Sequence, residues 1–278
     1  MNTSVHRTPP TTTATHSRRP RSRAFTVVEL MAVTGVLLVL AGLLLPALAK
    51  ARPASDLLNC QDNLRQIGRA FSVYSGDFRE EICRTGGLDV LVDSTNPKKN
   101  YGLNQQWCMG NMSTAPSWTN TALIQDSLIY PYVQSLAAYR CPADVTTVGP
   151  TGPPKVRSIS VNGFMNPINA WGAGRVFRKQ SDLILGPAMT WVATEENPAS
   201  INDGWFIHPP DTSATPAWVD YPASYHQQSA NLSFADSHVE NRRWTDPTVI
   251  TRGGILFSNG DTDRPADYRW LQERTTVP

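Results

Sequence analysis

The chain has 278 residues, of which 40% are hydrophobic and 17% charged, and its formal net charge is +2. Residues 1–24 carry five arginines and no acid, so the remainder holds 20 basic against 23 acidic residues. The weak positive charge therefore comes from this segment, and no basic stripe with interleaved aromatics follows it, which argues against a nucleic-acid partner. The remaining length is enough for one globular domain with its own core.

The first two segments have contrasting compositions. Residues 1–24 are rich in Arg, Thr, Pro and Ser, and we expect an unfolded cytoplasmic leader peptide. Residues 25–48 are apolar apart from Glu29. As a helix they would measure about 36 Å, enough to cross a hydrocarbon core of about 30 Å, so this stretch is a predicted transmembrane and assembly helix. A carboxylate there costs up to about 3 kcal/mol and requires a compensating partner.

The residues around this carboxylate are Ala24-Phe25-Thr26-Val27-Val28-Glu29-Leu30. They resemble the Gly-Phe-Thr-Leu-Ile-Glu-Leu pattern of type IV pilins and type II secretion pseudopilins, with Ala24 in place of the glycine. The resemblance implies cleavage between Ala24 and Phe25 by a prepilin peptidase, methylation of the new amine, and pairing of Glu29 with that amine in a neighbouring subunit. It also implies a single-pass inner-membrane protein with a periplasmic globular domain, or an extracellular fibre. The alternative is an uncleaved signal anchor.

The following residues, 49–76, are predicted to continue the helix in amphipathic form. Pro53 would interrupt or kink it, and Ser55 or Asp56 could cap a restart. Apolar residues then recur at helical spacing, which predicts one buried face formed by Leu57, Cys60, Leu64, Ile67, Phe71 and Tyr74.

Residues 77–278 are predicted to form a β-rich C-terminal domain. Short apolar runs alternate there with turn dipeptides such as Asn162-Gly163 and Asp203-Gly204. We also expect a short helix near residues 127–139. The predicted class is α+β and pilin-like: a long N-terminal helix, with a transmembrane first half, packs on an irregular antiparallel β-sheet domain.

The four cysteines are disulfide candidates, because export would place them in an oxidising compartment: Cys60, Cys83, Cys108 and Cys141. Sequence does not choose among their three complete pairings. Cys60 lies on the apolar helix face, where it is either a buried thiol or a disulfide partner. The chain lacks a Cys-x-x-Cys pair, which argues against a thiolate zinc site.

A second set of stretches lies in the globular part, among them Cys60-Gln-Asp-Asn-Leu-Arg-Gln and Tyr139-Arg-Cys-Pro-Ala-Asp. They resemble a planctomycete and verrucomicrobial pseudopilin-like family whose C-terminal element is His, nine residues, then Asp-Gly. His226 and Asp236 match this spacing, with Ser237 in place of the glycine. With His238 they form a candidate metal cluster that Glu195, Glu196 or Asp203 could complete. The alternative is a structural role, in which His226 and Asp236 hold a hairpin together.

One further feature is an acidic loop with Asp261, Asp263 and Asp267, a candidate calcium site or simply a solvated loop. No other cofactor is expected. The nucleophile-elbow, dinucleotide-binding and P-loop motifs are absent. We therefore expect a non-enzymatic structural subunit of a pilus-like fibre or secretion pseudopilus. Its expected partners are other pilin subunits, the prepilin peptidase, the assembly machinery and membrane lipid. The alternative is a membrane-anchored periplasmic binding domain or metal-dependent hydrolase.

Overall fold

A computed structural model of the chain describes residues 26–86, 105–210, 218–246, 249 and 266–277, and only the backbone at 44–51. The chain divides into two compact units, Met1–Ala49 and Lys50–Pro278. The helices are α1 (Val27–Asp77), α2 (Ala122–Gln125), α3 (Tyr130–Val133) and α4 (Ala266–Thr275), with single 3-10 turns at Ser117–Thr119, Leu136–Tyr139 and Gln180–Asp182. The strands are β1 (Ile159–Asn162), β2 (Trp191–Glu195), β3 (Trp205–Phe206), β4 (Ser229–Phe234) and β5 (Val239–Arg243).

The five strands form one sheet in the order β3-β1-β2-β4-β5. Neighbouring strands are antiparallel except β1 and β3, which are parallel. The class α+β is correct, but the predicted antiparallel sheet is wrong, because the sheet is mixed. The cause is the connection after β2. The chain reverses direction between β1 and β2 and again between β2 and β3, so β3 runs parallel to β1 when it pairs with the other edge of β1.

The prediction of a helix with a transmembrane first half also requires correction. Within the described part of the chain, no helix has a stretch that is long and apolar enough to cross a membrane. Helix α1 continues from Val27 through Pro53 to Asp77, so the expected interruption at Pro53 does not end it.

In the second unit, the predicted apolar face of α1 is confirmed. Its members Cys60, Leu64, Ile67, Phe71 and Tyr74 are buried, and Leu57 is half-buried. They pack in one core cluster with residues of β1 and β2 such as Ile159, Val161 and Val192. The close approach of α1 to the sheet occurs at Gly68, where an added Cβ would lie 3.3 Å from the Cβ of Ser233.

A second hydrophobic cluster contains three buried tryptophans. Its buried members are Trp191, Phe206, Trp218, Ala230, Leu232, Phe234, Trp244, Val249, Tyr268 and Leu271. Helix α4 is fixed to the sheet at its last residue, Thr275. The Oγ1 of Thr275 accepts a hydrogen bond from the Trp191 indole at 2.9 Å, and its carbonyl accepts one from Asn162 Nδ2 at 2.9 Å. Helix α4 was not predicted from the sequence.

Candidate functional site

The N-terminus of α1 is closed by a reciprocal pair of hydrogen bonds. The amide of Glu29 donates to Thr26 Oγ1 at 3.2 Å, and the amide of Thr26 donates to Glu29 Oε2 at 2.9 Å. This is a capping box, which satisfies amide groups that have no partner inside the helix. The predicted processing residues Ala24 and Phe25 lie outside the described residues.

The first part of α1 exposes apolar side chains on every side. Between residues 27 and 43, eleven large apolar side chains are between 48% and 75% exposed: Val27, Val28, Leu30, Met31, Val33, Val36, Leu37, Leu38, Val39, Leu40 and Leu43. Glu29 is the only charged residue in this range. A helix that is hydrophobic around its whole circumference is normally covered. This surface therefore needs a partner.

In the second unit, four side chains from separate chain segments meet in a buried cluster: Cys60, Cys141, Glu195 and His226. One ligand atom from each lies within 4.8 Å of the others, and the cluster could hold a metal ion. Helix α1 supplies Cys60, and Glu195 is the last residue of β2. Cys141 follows the 3-10 turn at Leu136–Tyr139, and His226 precedes β4.

The contacts within this cluster centre on Glu195 Oε1. This oxygen lies 2.5 Å from Cys60 Sγ and 2.7 Å from His226 Nε2, and Cys141 Sγ lies 3.2 Å from the same His226 nitrogen. Burial lowers the pKa of His226, but hydrogen bonds to Cys141 and Glu195 and the charge of Glu195 outweigh it and raise the pKa to about 10. Burial raises the pKa of the Cys60 thiol well above its usual range, and the neighbouring Cys141 and Glu195 add to this effect.

The backbone around the cluster orients Glu195 and His226. The amide of Asn231 donates to Glu195 Oε2 at 2.5 Å, which leaves Oε1 directed at the cysteine and histidine. The turn after His226 places Gln227 and Gln228 at φ angles of +53° and +68°. Two consecutive side-chain-bearing residues in the left-handed region are costly, and such turns are kept where the surrounding structure requires them.

The structure separates His226 from the rest of the predicted metal cluster. Asp236 and His238 bond to each other instead, with 2.6 Å between Asp236 Oδ1 and His238 Nδ1, and their side chains are 38% and 37% exposed. Asp236 Oδ1 also accepts the His238 amide at 3.1 Å and so holds the turn before β5. Ser237 in this turn has a φ of +72°, the conformation that glycine adopts without strain.

Glu196, the sequence neighbour of Glu195, and Asp220 are two further buried carboxylates. Burial raises the pKa of Glu196 well above its ordinary value, and the charge of Asp220 adds to the effect. Burial also raises the pKa of Asp220 to about 8, although the Ile207 amide donates to Asp220 Oδ2 at 2.6 Å and opposes the rise. Of the predicted acids, Asp203 accepts the Trp205 amide at 2.9 Å and so precedes β3 as a turn residue.

The remaining predicted residues have separate environments. All four cysteines are free and buried, and Cys83 and Cys108 lie outside the Cys/Glu/His cluster. Of the calcium candidates, Asp261 and Asp263 lie outside the described residues. Asp267 is buried, and its oxygens accept hydrogen bonds from Arg242, Thr245 and Asp246.

Sequence reasoning did not bring Cys60 and Cys141 together with His226, because they are separated along the chain by whole elements of structure. It did name Glu195 as a carboxylate that could complete a site around His226. Comparisons of the chain with protein-family models, with curated proteins and with solved structures found no match. The site must therefore be interpreted from its own residues.

Proposed function

We propose that the protein is a non-enzymatic structural subunit of a pilus-like fibre or secretion pseudopilus, processed between Ala24 and Phe25. The observation that carries the proposal is the apolar surface of residues 27–43, which is exposed on every side of α1. Covering a Val or Leu side chain contributes about 1.5–3 kcal/mol. Even partial burial of eleven such side chains would supply on the order of 10 kcal/mol per subunit, enough to drive assembly.

The partner that we propose for this surface is the same segment of other copies of the chain. The argument is charge complementarity. Cleavage before Phe25 would create a positive amine one residue before Thr26, and Glu29 is the only charge that α1 offers between residues 27 and 43. When two such helices pack side by side, the amine of one copy can neutralise the carboxylate of another, which offsets the cost of burying either charge.

The capping box gives Glu29 a second role, and the experiment must separate the two. A glutamine retains an oxygen that can accept the Thr26 amide, but it carries no charge. Glu29→Gln therefore keeps the cap and removes the proposed ion pair, whereas Thr26→Ala weakens the cap and keeps the charge. We expect Glu29→Gln and Glu29→Ala to reduce fibre yield at least tenfold, and Thr26→Ala to have a smaller effect.

The measurement is the amount of sheared or sedimented fibre per cell, normalised to total protein, together with mass spectrometry of the mature N-terminus. The expected N-terminal peptide begins with methylated Phe25. Wild-type fibre yield from Glu29→Gln would contradict the ion pair, and an intact leader on the assembled protein would contradict processing.

The alternative, a membrane-anchored binding or metal-dependent hydrolytic domain, has one observation in its favour, the cluster of Cys60, Cys141, Glu195 and His226. Catalytic metal sites have three protein ligands and an open position for water. Here four buried protein groups converge, which favours a structural role. A calcium ion at Asp261 and Asp263 stays a prediction, and it would have to bind without the oxygens of Asp267, which are already hydrogen-bonded to protein groups.

A further inference from the structure

We propose that Cys60, Cys141, Glu195 and His226 bind one Zn²⁺ ion as a buried structural site. The inference does not depend on fibre assembly, because none of these residues lies in the exposed apolar segment of α1. The site would join α1, the segment after the 3-10 turn at Leu136–Tyr139, the end of β2 and the turn before β4.

The geometry is that of four ligands collected around one point. In a tetrahedral zinc site, bond lengths of about 2.3 Å to sulfur and about 2.0–2.1 Å to nitrogen and oxygen place neighbouring ligand atoms about 3.3–3.8 Å apart. The four atoms of the cluster lie within 4.8 Å of one another, and the closest contacts are 2.5, 2.7 and 3.2 Å. An ion would therefore lengthen the contacts of Glu195 Oε1 with Cys60 Sγ and His226 Nε2 by about 1 Å or less.

The chemistry of the donor set favours zinc over calcium or magnesium. Thiolate and imidazole ligands suit Zn²⁺, whereas the two harder cations take oxygen ligands. Binding would release to solvent the two thiol protons and any proton on His226 Nε2. Two thiolates, one carboxylate and one neutral imidazole would then form four metal bonds. No oxidant or reductant is needed, and the zinc keeps its charge.

Supporting contacts also match those of a metal site. Groups around metal ligands usually fix the ligand orientation through hydrogen bonds. The Asn231 amide holds Glu195 Oε2 at 2.5 Å, and the amide of Cys141 donates to Ser158 Oγ at 2.8 Å. The ligands are closed off from solvent, since Cys60, Cys141 and Glu195 are fully buried and His226 is 8% exposed.

A groove on the surface borders the cluster at Cys141. The groove has a volume of about 530 Å³ and lies between α1 and the segment around Cys141, with Asn63, Arg140 and Cys141 among its lining residues. Cys141 thus contributes both to the groove and to the cluster. A metal ion could reach the ligands by a local opening next to Cys141.

A Cys60–Cys141 disulfide is the alternative use of the two adjacent thiols, and the experiment distinguishes it from metal binding. The full chain is purified in a mild detergent without chelator, and zinc is measured by inductively coupled plasma mass spectrometry. We expect about one zinc per chain in the wild type and in Cys108→Ser, which removes a buried thiol outside the cluster. Cys60→Ser and His226→Gln should lose zinc at least tenfold.

A second measurement keeps the test decisive if these variants do not fold. Wild-type protein is stripped with a chelator and loaded with Co²⁺, which should give thiolate-to-cobalt charge-transfer absorption and the visible bands of tetrahedral cobalt. Zinc below a tenth of an equivalent without these bands would overturn the proposal, as would zinc retained in Cys60→Ser. Alkylation under denaturing conditions without reductant should modify all four cysteines. A Cys60–Cys141 disulfide peptide in the same digest would contradict the zinc site, because a disulfide leaves no thiolate to bind the ion.

Discussion

Asp267, at the start of α4, is a buried carboxylate whose removal should lower the stability of the domain. Its Oδ2 accepts the amides of Thr245 and Asp246 at 2.5 and 2.8 Å and the Thr245 hydroxyl at 3.0 Å. Its Oδ1 accepts Arg242 at 2.9 Å. These contacts hold α4 against the segment that leaves β5, so Asp267→Asn tests how strongly that contact stabilises the domain.

The size of the effect follows from these bonds. A hydrogen bond to a charged group contributes about 1.5–3 kcal/mol, and an asparagine in the same place keeps one acceptor oxygen while turning an N–H group towards other donors. The Arg242 side chain is 31% exposed, so its ion pair adds little. Bonds that share one carboxylate are not additive, and we expect Asp267→Asn to lower the free energy of unfolding by about 3 kcal/mol at neutral pH.

This contribution must depend on pH. Burial raises the pKa of Asp267, but the backbone amides of Thr245 and Asp246, with Arg242, outweigh burial and lower it below the ordinary value. The stabilisation is therefore present above the unfolded-state pKa of about 3.9, and it is lost as the pH falls through the folded-state pKa. The difference between wild type and Asp267→Asn should shrink as the pH is lowered.

The assay is urea unfolding followed by tryptophan fluorescence, at neutral pH and at a series of acidic pH values. Asp236→Asn is the matched control, because Asp236 also has a lowered pKa but a side chain that is 38% exposed. It should cost less than about 1 kcal/mol. A loss below about 0.5 kcal/mol in Asp267→Asn, or a loss that does not change with pH, would refute the reasoning.

Three further predictions concern stability. Ser237→Gly should raise the free energy of unfolding by about 1 kcal/mol, because the φ of Ser237 is +72°, and Ser237→Ala should give no gain in the same urea titration. Burial raises the pKa of Asp220 to about 8, so the free energy of unfolding of the wild type should fall as the pH rises from about 4 to 8. Asp220→Asn should flatten this fall, and parallel pH profiles of the two proteins would contradict the assignment. Gly68→Val should destabilise by about 1–3 kcal/mol, because an added Cβ already lies 3.3 Å from Ser233. An added Cβ at Gly76 meets no atom within 4 Å, so Gly76→Val should lower the melting temperature much less.

Helical periodicity was the most reliable guide to the fold. It identified the buried face of α1 from Cys60 to Tyr74, because a repeat of 3.6 residues over about four turns has no other simple explanation. The short apolar runs Ser158–Val161, Ala188–Ala193 and Asn231–Phe234 overlap β1, β2 and β4. By contrast, β5 has the sequence Val-Glu-Asn-Arg-Arg and lies half-exposed at the sheet edge, so its composition carries no strand signal.

The candidate site could be predicted only in part. Glu195 is one of three carboxylates that the sequence offers to complete a site with His226, and the structure places Glu195 Oε1 2.7 Å from His226 Nε2. The two thiols were not placed beside them, because the spacing rules for zinc sites apply to ligands on one short loop. Cys60 reaches the cluster because α1 packs on the sheet. Cys141 reaches it from the segment that follows the 3-10 turn at Leu136–Tyr139. Such convergence depends on tertiary packing, which no local pattern records.

The spacing from His226 to Asp236 has a structural explanation that also shows why the two residues cannot share an ion. The six residues of β4, Ser229–Phe234, lie between them, and a strand rises about 3.3 Å per residue, so the ends of β4 are about 17–20 Å apart. His226 precedes the turn at one end and faces Glu195, whereas Asp236 holds the turn at the other end and bonds His238. Nine intervening residues are thus the length of one strand with a turn at each end. The histidine serves the buried cluster and the aspartate serves the hairpin, so Asp236→Asn should leave the metal content unchanged while His226→Gln abolishes it.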